Sequence, residues 1–135
     1  AKAKNEEIRG YLRRQKQMQQ QLEQLLIWAV HKGKKQKVKQ LLARGVEVNH
    51  WDKSGRTPLM FAASRGKVEI AKILLDQGAN PNLASRPKEI SSLMFAAVQK
   101  NRELVKLLLE RGAKVNARDK SGMTPLMIAV MKHDL

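Results

Sequence analysis

The sequence contains no cysteine and only five aromatic residues among its 135. Without thiolates there is no disulfide framework and no cysteine-ligated metal site. With so little Phe, Trp and Tyr, a core has to be built from Leu, Ile, Val, Met and Ala, which favours packed helices over a β-sandwich. The longest unbroken apolar runs have six members, as in residues 25–30, far fewer than the roughly 20 needed to span a bilayer. These absences predict an all-α intracellular domain, in the cytoplasm or nucleus, without a membrane span.

Motifs that carry chemistry are also missing. The three histidines, His31, His50 and His133, lie far apart and lack the spacing of metal ligands. The sequence has neither a Gly-x-Gly-x-x-Gly loop nor a Gly-x-Ser-x-Gly elbow. We therefore predict a protein that is not an enzyme and that needs no metal and no cofactor.

Positive charge is abundant and unevenly placed. The formal net charge is +15, and residues 1–40 contribute +8 of it through eleven Lys and Arg against three Glu. This charge favours an acidic protein surface, nucleic acid or anionic lipid as the partner. Nucleic-acid binding usually adds aromatic stacking platforms or a recognition helix, and neither is visible. Nucleic acid is therefore the second choice. The basic run at residues 32–37 is compatible with a patch for an acidic partner or a nuclear localisation signal, but a turn followed by the solvated face of a helix explains it more simply.

A repeating pattern organises the chain. Three glycines each close a Leu-rich run, and an asparagine follows each of them four residues later: Gly45, Gly78 and Gly112, then Asn49, Asn82 and Asn116. Self-similarity at such a period, about 33 residues, is typical of helical repeat arrays. One extra residue falls in the connector at residues 83–92, where an insertion is tolerated. We expect this connector to be irregular, since Glu89 stands where its neighbours carry Gly55 and Gly122.

The second unit shows the physical logic of the repeat. Thr57 is a good N-cap, and Pro58 suits the first helical position because its missing N–H would be unpaired there anyway. Gly66 can adopt the left-handed conformation that reverses the chain. A second helix is predicted from about Val68 until Gly78, with apolar residues at helical spacing.

These residues resemble the ankyrin repeat family, whose unit reads approximately Asp-x-x-Gly-x-Thr-Pro-Leu-His, Ala-Ala, Gly, Leu-Leu, Gly-Ala, Val-Asn. The resemblance covers about residues 22–135 and implies an all-α solenoid of helix-turn-helix units. We divide the repeat domain into a partial repeat at 22–51, a full repeat at 52–84, a degenerate repeat at 85–118 and a half repeat at 119–135. The family's histidine is replaced by Met60, Met94 and Met127, so we expect packing to substitute for its hydrogen bonds.

Both ends depart from the repeat pattern. Residues 1–21 are basic and Gln-rich and predict a long helix that runs into the first repeat. Apolar residues recur along it at spacings of three and four, on a seam formed by Ile8, Tyr11, Gln15, Met18, Leu22, Leu25 and Ala29. The seam is compatible with self-association, with a helix that folds back to cap the stack, or with a disordered arm. The half repeat lacks a second helix, which predicts a fragment of a longer protein or an open end that meets another subunit.

The resemblance also implies where a partner binds, because ankyrin repeats present a concave surface made of projecting turns and the exposed face of the first helices. Carried over to this sequence, the partner-binding positions are His31, Lys32, Lys53, Ser54, Arg56, Ser64, Arg65, Val98, Gln99, Lys120, Ser121 and Met123. Trp51 either anchors a partner as well or only covers the neighbouring turn. The expected function is a protein–protein interaction scaffold whose concave, basic face binds an acidic protein. The alternative is nucleic-acid or anionic-surface binding through the basic N-terminal helix and first repeat.

Overall fold

The computed structural model describes residues 2–133, which form a stack of antiparallel helix pairs. The helices are α1 Lys2–His31, α2 Lys35–Ala43, α3 Pro58–Ser64, α4 Val68–Asp76, α5 Ser92–Val98, α6 Arg102–Glu110 and α7 Pro125–His133. This part of the chain holds no strand, and its one β-type bridge pairs Ala84 with Ser91. The predicted all-α repeat solenoid is confirmed. None of the described helices is long and apolar enough to cross a membrane.

The short first helices begin at the predicted caps. The Thr57 hydroxyl accepts a hydrogen bond from the Met60 N–H at 3.3 Å, and Pro58 is the first helical residue. Ser91 caps α5 in the same way, with its hydroxyl 3.3 Å from the Met94 nitrogen. Gly66 has the left-handed φ of +65° that the turn into α4 requires. The sequence therefore specifies these helix starts and turns locally.

The methionines at the family's histidine position do more than pack. The Met60 sulfur lies 3.4 Å from the Thr57 backbone nitrogen and accepts its N–H. Met94 makes the same contact with the Ser91 nitrogen, also at 3.4 Å. The expectation that packing alone replaces the histidine was therefore wrong for these two repeats, because a thioether sulfur is a weak acceptor.

The interior forms within each helix pair and between neighbouring units. First helices pack on first helices, α1 with α3, α3 with α5 and α5 with α7, while α2, α4 and α6 pack in a second row. Ala62 and Ala96 are fully buried between first helices, where their small side chains permit close approach. Leu74 and Leu104 are fully buried in the second row. Each repeat thus depends on its neighbours for its core, as expected of a solenoid.

The N-terminal helix is continuous with the first repeat. The predicted boundary between residues 21 and 22 lies inside α1 and is not a structural break, because no helix-breaking residue stands there. The other predicted boundaries, after residues 51, 84 and 118, fall in connectors between helices. Residues 2–21 extend α1 by about 30 Å at 1.5 Å per residue.

This extension does not fold back on the stack, so the capping role considered for it was wrong. Residues 2–18 are exposed apart from Gly10. The apolar side chains of its seam face solvent, with Ile8 and Tyr11 each 56% exposed and Met18 52% exposed. Self-association through this seam stays a prediction.

The opposite end of the described stack is apolar. Leu126 is 71% exposed and Met131 65% exposed on α7, and no second helix follows α7 within the described residues. A groove of about 350 Å³ runs along α7 and α6, lined by apolar side chains that include Val105, Leu109 and Pro125. Residues 1, 134 and 135, the outermost positions of the segments predicted at 1–21 and 119–135, lie outside the described residues.

The repeated asparagines join successive units. The Asn49 side chain donates to the Gly78 carbonyl at 3.0 Å and accepts the Asn80 N–H at 2.8 Å. Asn82 does the same one repeat later, donating to the Gly112 carbonyl at 2.9 Å and accepting the Lys114 N–H at 2.8 Å. One amide side chain therefore satisfies a carbonyl and an N–H of the next unit.

Substitution of Asn82 by alanine is expected to lower the free energy of unfolding by about 1–3 kcal/mol, because two backbone groups of the next repeat lose their partner. Asn116 is the matched control, since it occupies the same repeat position but no further unit follows it within the described residues. We expect Asn116→Ala to cost less than about 0.5 kcal/mol. Urea denaturation followed by circular dichroism measures both values, and equal losses would contradict the proposed inter-repeat role.

Candidate protein-binding groove

Aspartates organise two of the predicted partner-binding turns from within by hydrogen bonds. One carboxylate oxygen of Asp52 accepts the Ser54 N–H at 2.9 Å, the Ser54 hydroxyl at 2.6 Å and the Arg56 N–H at 3.1 Å. Asp119 repeats this arrangement with the Ser121 N–H, the Ser121 hydroxyl and the Met123 N–H. The Ser54 and Ser121 hydroxyls therefore already donate to these carboxylates.

Hydrogen bonding also stabilises the charged form of the Asp119 side chain. The Ser121 hydroxyl, followed by the Met123 N–H, holds the pKa of the Asp119 carboxyl below its ordinary value. The carboxylate is accordingly ionised at neutral pH and engaged inside its own turn.

Neighbouring turns are joined through their backbones into one surface. The Arg86 N–H donates to the Gly55 carbonyl at 2.8 Å, and the Lys120 N–H donates to the Lys88 carbonyl at 3.0 Å. The third connector is irregular, as predicted, because its Ser85 N–H donates to the Ile90 carbonyl five residues later, whereas the Asp52 N–H donates to the Arg56 carbonyl four residues later. Glu89 nevertheless has a positive φ of 58°, as Gly55 and Gly122 do. The Ser85 hydroxyl accepts the Ile90 N–H at 2.9 Å.

Trp51 covers the neighbouring turn. Its indole N–H donates to the Ala84 carbonyl at 2.9 Å, and the Arg86 guanidinium lies 3.7 Å from the centre of its ring. Both contacts are made with the connector between the full repeat and the degenerate repeat, so the tryptophan stabilises the junction between two turns. A partner would meet Trp51 only through the part of its half-buried side chain that these contacts leave free.

The surface formed by the turns and the row of first helices is called the groove below. Its helix side combines cations with aromatic rings. The Arg56 guanidinium lies 4.9 Å from the centre of the Phe95 ring and 5.9 Å from that of Phe61. Arg65 lies 3.0 Å from the His31 Nε2 atom, which must accept because a guanidinium only donates. The His31 ring meets Phe61 edge-on, with ring centres 6.3 Å apart. Four of these five side chains come from adjoining first helices or their C-terminal ends, and Arg56 comes from a turn.

Sequence reasoning missed the two phenylalanines, although a signal was present. Phe61 and Phe95 are half-buried and occupy the same position in successive repeats, in the shared segment Leu-Met-Phe-Ala-Ala. The first repeat carries Trp28 at this position, and its side chain is 47% exposed. An aromatic residue repeated at one position of a helix row predicts a contact surface, but this repetition was not used in predicting the partner-binding positions.

The remaining predicted contact residues occupy the same row of turns and helices, and the described residues show no side-chain hydrogen bond or ion pair between them. The exposed ones are Lys32, Lys53, Val98, Gln99 and Lys120. Ser64 is half-buried, and its hydroxyl donates to the Phe61 carbonyl at 3.1 Å. The structure thus groups His31, Arg56 and Arg65 around the phenylalanines and leaves the other positions as separate surface groups.

A cleft of about 620 Å³ separates α1 from the first turn. It is lined on α1 by Gln20, Glu23, Gln24 and Ile27, and on the turn by His50, Trp51, Asp52 and Lys53. His50 Nδ1 lies 2.7 Å from the Glu47 carbonyl oxygen, while its buried Nε2 has no hydrogen-bond partner within the described residues. The cleft is open, and its lining combines polar side chains with the apolar surfaces of Ile27 and Trp51.

The ion pairs lie on the second helices, away from the groove. Lys35 contacts Glu69 at 2.6 Å, and Arg111 contacts Asp76 at 2.7 Å. The hydrogen bond and charge of Lys35 hold the pKa of the Glu69 carboxyl below its ordinary value. Neither pair involves a groove cation, and the described residues hold no group of three or more His, Asp or Glu that could bind a metal ion.

The fold defines a class of protein: an all-α helical repeat solenoid. A family model described as ankyrin repeats, in three copies, matches residues 2–85 and 84–135. The chain belongs to the ankyrin repeat family. Ankyrin repeats are modules for protein–protein interaction.

Similar proteins share this repeat region. The human ankyrin repeat and KH domain-containing protein 1 is 37% identical over 101 residues, which cover 74% of this chain and 4% of that protein. The Drosophila melanogaster ankyrin repeat and KH domain-containing protein mask is 45% identical over 62 residues, 46% of this chain and 2% of that protein. The transient receptor potential channel pyrexia of the same organism is 55% identical over 42 residues, 31% of this chain and 4% of that protein. The chain therefore spans only a small part of each relative.

Proposed function

We propose that this chain is a non-catalytic scaffold that binds an acidic protein segment through its concave, basic face. One observation carries the proposal: the groove cations form no ion pair within the described residues, whereas the carboxylates beside them are engaged. Arg56 lies over aromatic rings, and Lys53 and Lys120 are exposed on the turns. Asp52 and Asp119, in contrast, accept hydrogen bonds inside those turns. An intracellular setting, in the cytoplasm or nucleus, is part of the proposal.

Arginine and aromatic side chains together favour a protein ligand. A guanidinium offers bidentate hydrogen bonds to a carboxylate, and a planar ring beside it adds apolar contact area. Arg and aromatic residues are enriched among the residues that dominate binding energy at interfaces. Phe61, Phe95 and Arg56 form such a combination at the centre of the row of first helices.

Loss of the groove cations should weaken binding to an acidic peptide. For the double variant Arg56→Ala/Arg65→Ala, we expect at least about a ten-fold loss of affinity for a fluorescein-labelled hexaglutamate, on the scale of charge-assisted hydrogen bonds. The control Lys72→Ala/Lys106→Ala removes the same charge from exposed positions on α4 and α6. Fluorescence anisotropy at fixed salt measures both. Equal losses in the two double variants would show that net charge, and not the groove, determines binding.

The second candidate function is nucleic-acid binding through α1 and the first repeat. It is favoured by the net charge of +8 in residues 1–40. Binding that neutralises phosphates falls steeply with salt, with a slope that scales with the number of phosphates contacted. Tighter binding of duplex DNA than of the acidic peptide at the same salt would favour this candidate over the protein partner.

A further inference from the structure

We propose that the acidic segment that occupies the concave groove also contacts a basic stripe on the exposed N-terminal part of α1. The binding site then has two walls: the groove is the first, and this part of α1 is the second. The stripe consists of Lys2, Arg9, Arg13 and Lys16. The inference rests on the proposed function, since it concerns the length and placement of the acidic partner.

Helical geometry places the stripe in line with the groove. An α-helix has 3.6 residues per turn, so two positions separated by five full turns point in the same direction. Arg13 is aligned in this way with His31, which contacts Phe61 and Arg65 in the groove. Arg9 is aligned with Ile27, and Ile27 lines the cleft between α1 and the first turn.

The residues that line the cleft identify the face of α1 that is directed toward the turns. Its four α1 residues recur at spacings of three, one and three, and its opposite wall is the turn at residues 50–53. Lys2 is aligned in the same way with Gln20, one of those lining residues, so the stripe begins on this same face. Two carboxylates also lie on this face. Glu6 is aligned with Gln24 and leaves the stripe with a net charge of +3, and Glu23 lines the cleft itself, between the stripe and the groove.

The other cations of the extension point elsewhere. At 100° per residue, Lys4 and Arg14 lie more than about 90° around the helix from the middle of the stripe. The four stripe cations are exposed. Neither ion pair of the described residues includes them. The charge of the stripe is therefore directed toward the cleft and the turns, with no carboxylate partner within the described residues.

The dimensions specify the partner. The distance along the helix axis is about 27 Å from His31 to Arg13 and about 44 Å from His31 to Lys2. An extended chain covers about 3.3 Å per residue, so roughly 8 residues reach Arg13 and roughly 13 reach Lys2. A hexapeptide occupies the groove alone, whereas an acidic segment of about 20 residues contacts both walls. The partner is therefore a long acidic segment of another protein.

The test compares two peptides and two matched variants. Hexaglutamate probes the groove, and a polyglutamate of about 20 residues, long enough to reach Lys2, probes the groove together with the stripe. The stripe variant is Arg9→Gln/Arg13→Gln, and the control is Lys4→Gln/Arg14→Gln, which removes the same charge from the other side of the helix. Glutamine preserves helix propensity, and far-UV circular dichroism verifies that both variants keep their helices.

We expect the stripe variant to weaken binding of the longer peptide about five-fold or more, on the scale of two exposed ion pairs. Its affinity for hexaglutamate should change less than about two-fold, and the control should change less than about two-fold for either peptide. A loss of affinity that is limited to the longer peptide and to the stripe face of α1 is the result expected if α1 is a second wall of the site.

Other outcomes overturn the inference in distinguishable ways. Equal weakening by the stripe variant and its control shows a general charge effect, and no weakening by the stripe variant confines the site to the groove. In both cases the proposed function stands if Arg56→Ala/Arg65→Ala still weakens hexaglutamate binding. If that groove variant leaves both peptides unaffected, the proposed function fails as well. Tighter, stripe-dependent binding of a DNA duplex of matched length at the same salt assigns the wall to nucleic acid instead.

Discussion

Replacement of Leu104 by alanine is expected to lower the free energy of unfolding by about 2–5 kcal/mol, the usual range for deleting a buried leucine side chain. Leu104 is fully buried in α6, where the degenerate repeat packs on its neighbour. A solenoid has no central core that could compensate, because each unit is stabilised only by adjacent units. We therefore expect the loss to affect the whole stack.

Leu109 provides the control on the same helix. Its side chain is 41% exposed at the edge of the apolar groove between α6 and α7, which is separate from the candidate binding groove. We expect Leu109→Ala to cost less than about 1.5 kcal/mol, because much of its apolar surface already meets water. Urea denaturation followed by far-UV circular dichroism compares the two variants. Equal losses would mean that α6 does not pack with Leu104 inward.

The second large effect is expected at Gly55. This residue has a φ of +80°, and an added Cβ would collide with the carbonyl oxygen of Arg86. Alanine there introduces left-handed strain of about 1–2 kcal/mol and a backbone clash of about 1–3 kcal/mol. We expect Gly55→Ala to destabilise the protein by about 2–5 kcal/mol, the sum of these two costs. It should also weaken binding of the acidic peptide, since the Arg86 N–H that donates to Gly55 joins two turns of the groove.

Gly122 separates the two contributions. It occupies the same repeat position with a φ of +86°, but an added Cβ would have no heavy atom within 4 Å. Gly122→Ala should therefore show only the conformational cost of about 1–2 kcal/mol. Thermal unfolding of both variants measures the difference, and a smaller loss for Gly55→Ala than for Gly122→Ala would refute the close contact between the turns.

Local chemistry explains why much of the fold was predictable. Thr57, Pro58 and Gly66 each act within a few residues of their position, so their roles follow from the sequence alone. The regular repeat period then fixes how such units stack. The run of α1 through residue 21 was harder to delimit, because helix-compatible residues continue on both sides of the predicted boundary.

The candidate site was less predictable because its geometry depends on pairs of residues about one repeat apart. Trp51 meets Ala84 and Arg86, and neither interaction has a local signature. Arg56 was singled out as a turn residue, yet its position over Phe95 requires the next repeat to be in place. The concave positions follow from the family pattern, whereas the contacts between them follow only from the stacked structure.

The central functional claim is that the ligand occupies the concave side. Amide chemical-shift perturbation on adding hexaglutamate tests it most directly. The account predicts shifts at Lys53, Arg56, Arg65 and Lys120, with little change along α2, α4 and α6. Shifts concentrated on those second helices, or spread evenly over the surface, would contradict it.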